Sequence, residues 1–572
     1  MDILQFKKAN CKNCFKCLRE CPVKSISYKQ GQAEIIAEDC LLCGHCLTVC
    51  PQNAKEARND TDIVKAAIAS GRRVVATVAP SFAAAFGPGG ISAFASALKK
   101  LGFFDVRETA VGAKAVAEEY GRLLAGGRFE SMVSTCCPTV IRLAERYCPQ
   151  SLKYLAPVTS PMTAHARMLR KEFGDDIFVV FIGPCLCKKD EAGWDENAVD
   201  CALTFEELKE WLDQALPEAA AASAQTPGPA ENGAALRARI FPVRGGVIAT
   251  IPDKPAEYAY VSADGIQKCR ETLEALARGE LKGFFIEMNA CEGGCINGPC
   301  MISPSGGLLA AERSVSDNAQ APIGAKAAEV IPVELGRRFE PKPRQIEMPG
   351  ENDLREILAR TGKTLPEHEL NCGACGYPTC RDKAVAVYQG RAEVDMCMPY
   401  MRERAEFISD KVISFSPNAV VALDSRLNIQ AMNGAAQKMF GVSDTRLFSG
   451  RYIGELTDPG VFEEAAVRKE NVLDRRVYLY HYGIWVEESV VYVKEHDFVF
   501  GIFKDMTDVE REKEKLKKVK LDTVETADQV IEKQMRVVQE IAMLLGETTA
   551  QTKIALTKLK DTMMSEDEAS RQ

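Results

Sequence analysis

The sequence predicts a multidomain chain of α/β and α+β character. Three observations predict it. Its 572 residues exceed the length of one domain. Its 22 cysteines fall in three blocks, eight before residue 51, ten from 136 to 300 and four from 372 to 397, with none afterwards. Strand-like runs in the long middle stretch end in turns bearing Pro or Cys and alternate with helical periodicity, while the cysteine-free remainder carries strands in close succession.

Hydrophobic residues make up 46%, enough for packed cores. No run of ~18 apolar residues occurs, and the start Met1-Asp2-Ile3-Leu4-Gln5-Phe6-Lys7-Lys8 is no signal peptide. The expectation is a soluble, cytoplasmic chain with no membrane span. A net charge of -8 and a pI near 5.6 argue against a nucleic-acid partner. In a reducing compartment, clustered cysteines read as metal ligands rather than disulfides.

Residues 1–60 repeat one spacing. Cys11-x2-Cys14-x2-Cys17-x3-Cys21-Pro22 recurs as Cys40-x2-Cys43-x2-Cys46-x3-Cys50-Pro51. This is the two-cluster, ferredoxin-like arrangement, in which the last cysteine of each run crosses to the other cubane. Cys11, Cys14, Cys17 and Cys50 would hold one 4Fe–4S cluster; Cys40, Cys43, Cys46 and Cys21 the second. Structural zinc is disfavoured, because zinc sites rarely interlock two four-cysteine runs. His45 reads as an exposed loop residue.

Residues 61–345 read as one three-layer α/β domain. A helix over 62–71 leads to a strand over 73–78, after which come Ala79-Pro80-Ser81. A strand over 177–182 delivers Gly183-Pro184-Cys185 in the same way, at the strand end where such sheets place ligands. Helices are expected over 91–100 and 113–124, and the Ala/Pro-rich stretch 215–235 reads as a flexible insertion.

Three runs in this region share cysteines flanked by Gly, Pro or Lys: Ser134-Thr135-Cys136-Cys137-Pro138, Gly183-Pro184-Cys185-Leu186-Cys187-Lys188-Lys189, and Glu287-Met288-Asn289-Ala290-Cys291-Glu292-Gly293-Gly294-Cys295 continuing to Cys300. Together they resemble the three signatures of FeFe hydrogenases. The resemblance implies an H-cluster, a 4Fe–4S cubane joined to a diiron unit carrying CO, cyanide and a dithiolate bridge. Cys137, Cys185, Cys291 and Cys295 would hold the cubane, with Cys295 bridging. Cys136 would donate protons, Lys188 would bond one cyanide, and Pro80 and Ser81 would hold the other. An anionic cyanide calls for such donors in a dry pocket.

The chain departs from the catalytic members at Gly183 and Asn289, where they carry Met, and at Gly298-Pro299-Cys300, where they carry a glycine triplet. Their relay serine falls on Ala156, and a relay glutamate falls near Glu119. These departures resemble the sensory, PAS-containing group of the family. Cys187 and Cys300 read chiefly as fill. Cys148, Cys201 and Cys269 have no expected role, and His165 reads as a structural histidine.

In 346–407, Cys372-x2-Cys375-x4-Cys380 is followed by a helix over 382–392 and Cys397. This resembles a small 4Fe–4S module of electron-transfer and acetyl-CoA pathway proteins; four-thiolate zinc is the alternative. Residues 408–508 resemble a PAS domain: strands over 419–424, 427–432, 477–481, 485–493 and 498–503, a helix capped by Asn433, and the exit Asp505-Met506-Thr507-Asp508. Its ligand is unknown. Lacking cysteine, it forms no flavin adduct, and His481 and His496 read as surface residues rather than haem ligands. Residues 509–572 carry helical, partly coiled-coil spacing and suit a homodimer seam.

The expected function is sensing of H2 or redox state, with slow heterolytic splitting of H2. Expected partners are H2 and protons, a ferredoxin or similar electron carrier, a separate protein phosphatase or kinase, and maturation proteins. The alternatives are a catalytic ferredoxin-dependent hydrogenase and a cubane-only assembly protein lacking the diiron unit.

Overall fold

A computed structural model of the chain describes residues 3–87, 90–195, 197–216, 233–304, 306–324, 329–344, 347–443, 447–494, 497–545 and 549–568. Most of the insertion expected at 215–235 (residues 217–232), and His496, lie outside the described residues. The chain divides into two units, 1–401 and 402–572. The helix Met398–Phe415 spans the division, and it also contains the boundary expected at 407/408.

The first unit opens with two short hairpin-like pairings. Leu4–Phe6 pairs antiparallel with Lys55–Ala57, and Ile26–Lys29 with Gln32–Ile35. Short helices Lys16–Glu20 and His45–Thr48 follow the two cysteine loops.

The middle region, expected as one three-layer α/β domain, holds two parallel sheets. The first runs Asp105–Glu108, Val74–Val78, Phe178–Gly183, Cys201–Thr204. Val74–Val78 and Phe178–Gly183 are buried along their whole length, as unbroken β-branched runs in a sheet covered on both faces must be. The second runs Ala259–Asp264, Phe284–Asn289, Met132–Val133. Its last strand is two residues long, too short to leave a periodic signal in sequence. The loops with Ser81, Cys185, Cys136 and Cys291 all leave the carboxyl ends of parallel strands, two from each sheet.

Lys189 ties these parts together. Its Nζ lies 2.8 Å from Asp60 Oδ2 and 2.8 Å from Glu207 Oε1, all three side chains being buried. Asp60 belongs to the segment leaving the N-terminal module, and Glu207 completes the capping box of the helix Phe205–Ala215.

In 346–401, Thr379 caps a helix over Cys380–Tyr388, with Asp382 returning the bond. That cap sets the helix start two residues earlier than expected; the helix ends at Tyr388, and a short turn over Val394–Met396 leads to Cys397. This module packs on the N-terminal one. Lys24 Nζ donates to Leu18 O, Arg19 O and Gly376 O at 3.0, 2.7 and 2.9 Å. Gly376 has φ +95°, and a Cβ there would stand 2.1 Å from Leu18, so only glycine allows the approach.

The second unit is a five-stranded antiparallel sheet in the order Ile429–Met432, Ala419–Leu423, Phe498–Asp505, Ile484–Val493, Val472–Leu479. The edge strand starts five residues before the expected 477, through a charged run, Asp474-Arg475-Arg476, that hides strand periodicity. It ends at Leu479, leaving His481 exposed in the turn. Asn433 Oδ1 accepts from Ala436 N at 2.9 Å and caps the helix Gly434–Phe440, as expected. Phe440, Phe462 and Phe503 fill the core. Two helices, Thr507–Leu545 and Thr549–Glu568, follow, joined by Lys560 to Asp528 at 2.9 Å. Among the described residues no helix is long and apolar enough to cross a membrane.

Lys189→Met leaves two buried carboxylates without their shared cation and should destabilise the first unit by about 3–5 kcal/mol. A denaturant titration following that unit checks it, against an exposed control such as Lys209→Met.

Candidate functional site

The central cavity, of ≈ 100 Å³, is lined by Pro80, Ser81, Cys136, Cys137, Cys185, Lys188, Asn289, Cys291 and Cys295 among others. The four proposed cubane cysteines, Cys136, Lys188, Pro80 and Ser81 therefore line one space. The surface these cysteines expose belongs to the cavity. Among the described residues, no three His, Cys, Asp or Glu groups close tightly enough to hold a single metal ion. The four thiols instead surround a volume, the arrangement a multi-iron group requires.

The donor set fits such a group. Burial pushes Cys185 up to about 11, and pushes Cys137, Cys291 and Cys295 up as well. Thiols in so dry a place ionise only when bound cations supply the missing charge. Cys137 stands at the start of the helix Pro138–Tyr147, whose free amides add a partial positive charge. Ser81 Oγ is fully buried in the cavity wall and finds no hydrogen-bond partner among the described residues. A buried orphan hydroxyl costs stability unless something in the cavity accepts from it.

Lys188 Nζ donates to Glu191 Oε2 at 2.6 Å and Ser160 Oγ at 3.0 Å. Burial pulls its pKa down, but the Glu191 carboxylate more than offsets this and holds it above the usual lysine range. The ammonium therefore stays charged against the cavity. Burial pushes the Cys136 thiol up to about 12, so it keeps its proton at neutral pH.

Two residues of the site were missed in sequence. Tyr120 Oη lies 3.3 Å from Cys136 Sγ and accepts from Thr135 N at 2.8 Å. Its neighbour Glu119, expected as a relay, lies about 100° round the helix and pairs with Arg122 at 2.7 Å instead. Glu287, which opens the third run, is wholly buried and accepts from Gly245 N, Ile248 N and Asn289 Nδ2 at 2.8, 3.1 and 3.0 Å. Its charge bears on Cys136. Ala156 is buried and offers no hydroxyl.

The departures have local causes. A Cβ at Gly183 would lie 2.7 Å from the Phe181 ring, which fills that wall of the cavity. Pro299 seats against Gly44, whose φ is +72° and whose Cβ would lie 2.4 Å from it. That contact brings Cys43 and Leu42 into the cavity lining. Cys187 and Cys300 are buried and absent from the lining; Cys300 packs with Ile3, Leu4 and Leu186. Cys148, Cys201 and Cys269 are core residues. His165 Nδ1 bonds Thr77 Oγ1 at 2.7 Å, and burial pushes its pKa down to about 3, so it is a neutral, satisfied side chain.

Cys21, Cys40, Cys43 and Cys46 line one small cavity, and Cys17 stands beside Cys11 and Cys50. Cys14 is exposed. The two loops repeat their backbone. Asn13, Phe15 and Lys24 have φ +55°, +55° and +51°, and Leu42, Gly44 and Asn53 have +53°, +72° and +46° at equivalent places. Holding side-chain-bearing residues there costs about 1–3 kcal/mol each, strain that the loops carry to wrap their thiols around a common centre. His45 is half exposed and lies 3.8 Å from Glu20. Cys372, Cys375, Cys380 and Cys397 line a further cavity of ≈ 30 Å³.

Residues 72–299 match the family described as iron only hydrogenase large subunit, C-terminal domain. Residues 10–54 match the 4Fe-4S dicluster domain, and 366–399 an Fe-S cluster module. The chain is similar to the NADP-reducing hydrogenase subunit HndD of Solidesulfovibrio fructosivorans, 27% identical over 45% of this chain and 55% of that protein. Iron hydrogenase 1 of Clostridium pasteurianum is 26% identical over 52% of this chain and 64% of its own length. Human nuclear prelamin A recognition factor is 24% identical over 47% of this chain and 75% of its own. The chain thus spans between half and two thirds of the two hydrogenases' lengths.

In the iron-free, reduced chain, alkylation near neutral pH should reach exposed Cys14 and Cys372 first and Cys187, Cys269 and Cys300 last. Peptide mass spectrometry over time reads the order. Early labelling of Cys300 would contradict the packing described.

Proposed function

For a chain that belongs, through residues 72–299, to the FeFe-hydrogenase-like family, we propose an iron–sulfur sensor of dihydrogen or redox state. In this reading Cys137, Cys185, Cys291 and Cys295 hold a cubane, Cys295 bridges to a diiron unit, and the N-terminal and 346–401 cysteines hold three further cubanes. When bound, the central group supplies an open iron position at which dihydrogen is split heterolytically. The chain's own residues do the rest. Lys188 Nζ and Ser81 Oγ, with the Pro80 turn, donate to anionic ligands and fix the group's orientation. Cys136 Sγ carries the proton, steadied by Tyr120 Oη. Phe181 and the apolar wall keep bulk water out.

One observation carries the reading: a charged ammonium and an orphan hydroxyl face the same cavity as four buried thiols. A site built for a cubane alone has no use for either. Slow turnover is supported by Ala156, which offers no relay, and by Glu119, which is engaged with Arg122 at the helix surface. A sensory role is supported by the second unit, whose strand order suits a PAS domain followed by signalling helices. The output would pass to a separate phosphatase or kinase, with a homodimer formed through the helices, electrons exchanged with a ferredoxin-like carrier, maturation proteins installing the diiron unit, and the whole in the cytoplasm.

Infrared spectroscopy on the matured chain, with and without H2, tests this. Bands for bound CO and cyanide that shift under H2 are expected; their absence gives the chain to the cubane-only alternative. Fast, ferredoxin-coupled H2 evolution would give it to the catalytic one. Cys136→Ala should keep the bands and lower turnover by about 10²-fold or more. Unchanged turnover would mean the proton travels by another group.

A further inference from the structure

Two buried lysines beside the thiols of 346–401 have no part in the reading above. Lys363 is 9% exposed and Lys383 6%. Both line the cavity shared by Cys372, Cys375, Cys380 and Cys397. Lys363 Nζ donates to Cys397 Sγ at 3.3 Å, and to Thr361 O and Oγ1 at 3.1 and 3.2 Å. Lys383 Nζ donates to Val394 O at 2.8 Å and lies within the field of Cys397, Cys375 and Cys380. Among the described residues neither pairs with a carboxylate.

A buried ammonium is costly unless negative charge stands beside it, and two together repel. Among the described residues, the anionic groups that bear on them are the cysteine sulfurs once ionised. A four-thiolate cubane carries net negative charge that grows by one on reduction, so each ammonium favours the reduced state. Hydrogen bonds to the sulfurs act in the same direction. Around the N-terminal cysteine sets, Lys55 is the buried lysine beside Cys17, Cys46 and Cys50, the charge of Arg142 near Cys40 is balanced by Asp190 at 2.5 Å, and Lys24 acts on Cys21 and Cys375 alike.

We propose that Lys363 and Lys383 make the cubane of 346–401 the electron store of the chain, reduced before either N-terminal cubane. The inference rests on the cluster assignment given under the proposed function. Oxidation of one H2 releases two protons and two electrons; one electron rests on this cubane and the second on an N-terminal cubane. The docking described above suits the transfer: Lys24 bonds the backbone of both modules and lies within the field of Cys21 and of Cys375. Lys363 and Lys383 are positioning residues, acting on the potential and not on the reacting atoms.

The test is a redox titration of the full-length, cluster-loaded chain followed by electron paramagnetic resonance. The module's signal is the one lost in Cys380→Ala. In the unaltered chain it should be the first to appear on reduction. Lys363→Met and Lys383→Met should each lower its reduction equilibrium at least tenfold, about 59 mV for one electron, leaving the N-terminal signals in place. Lys363→Arg should restore most of the shift. An unmoved potential at full iron content overturns the proposal, as does an unaltered chain in which this signal appears last. Loss of iron from both Met variants also overturns it, because the lysines would then serve the fold alone. If Cys380→Ala removes neither a signal nor iron, the cluster assignment itself fails, a different outcome.

Discussion

The cost of an ionised sulfur in a dry interior governs this molecule. Four thiols face one cavity, and burial holds each of them protonated in the empty protein. Their use as ligands is possible only with cations that replace the lost solvation, so loading and final ordering of the cavity wall are linked events. The same cost explains the charged residues around the cavity. Glu191 beside Lys188 holds its ammonium charged, and Lys189 lies between the carboxylates of Asp60 and Glu207. Adjacent in sequence, the two lysines serve opposite ends: one aims at the cavity and the other fastens its wall to the N-terminal module.

Two parallel sheets make the convergence possible. A single sheet offers its carboxyl ends along one line. Here two sheets present loops from both sides, so cysteines far apart in sequence meet without long unsupported segments. The strands beneath are covered on both faces and rigid, which suits a site that must hold its geometry before its cofactor arrives.

Much of this was legible in the sequence, because thiol spacing is itself chemistry. The paired runs at 11–21 and 40–50, the three signature runs and the run from 372 to 397 together named the cysteines that the structure groups around the cavities. What escaped notice depends on phase and packing. Tyr120 and Glu119 differ by one residue, yet on a helix that is the difference between a bond to Cys136 and an ion pair with Arg122. Gly183 reads as a lost side chain, whereas Phe181 two positions earlier already occupies the space. Lys363 and Lys383 sit in polar stretches where a lysine reads as solvated; only tertiary burial marks them out. The second sheet was invisible because one of its strands is a dipeptide and takes its meaning from partners over 150 residues away.

The N-terminal module repeats its cysteine spacing, yet its halves differ at several equivalent positions, among them Phe15 in one loop and Gly44 in the other. Phe15 turns its ring edge-on to Tyr28 at 5.0 Å. Gly44 leaves bare backbone on which Pro299 rests. A duplicated module with two equal faces could seat either way round. The missing side chain on one of them gives it a front and a back, so the loop that carries the glycine is the one that can come flush with Pro299 at the wall of the central cavity.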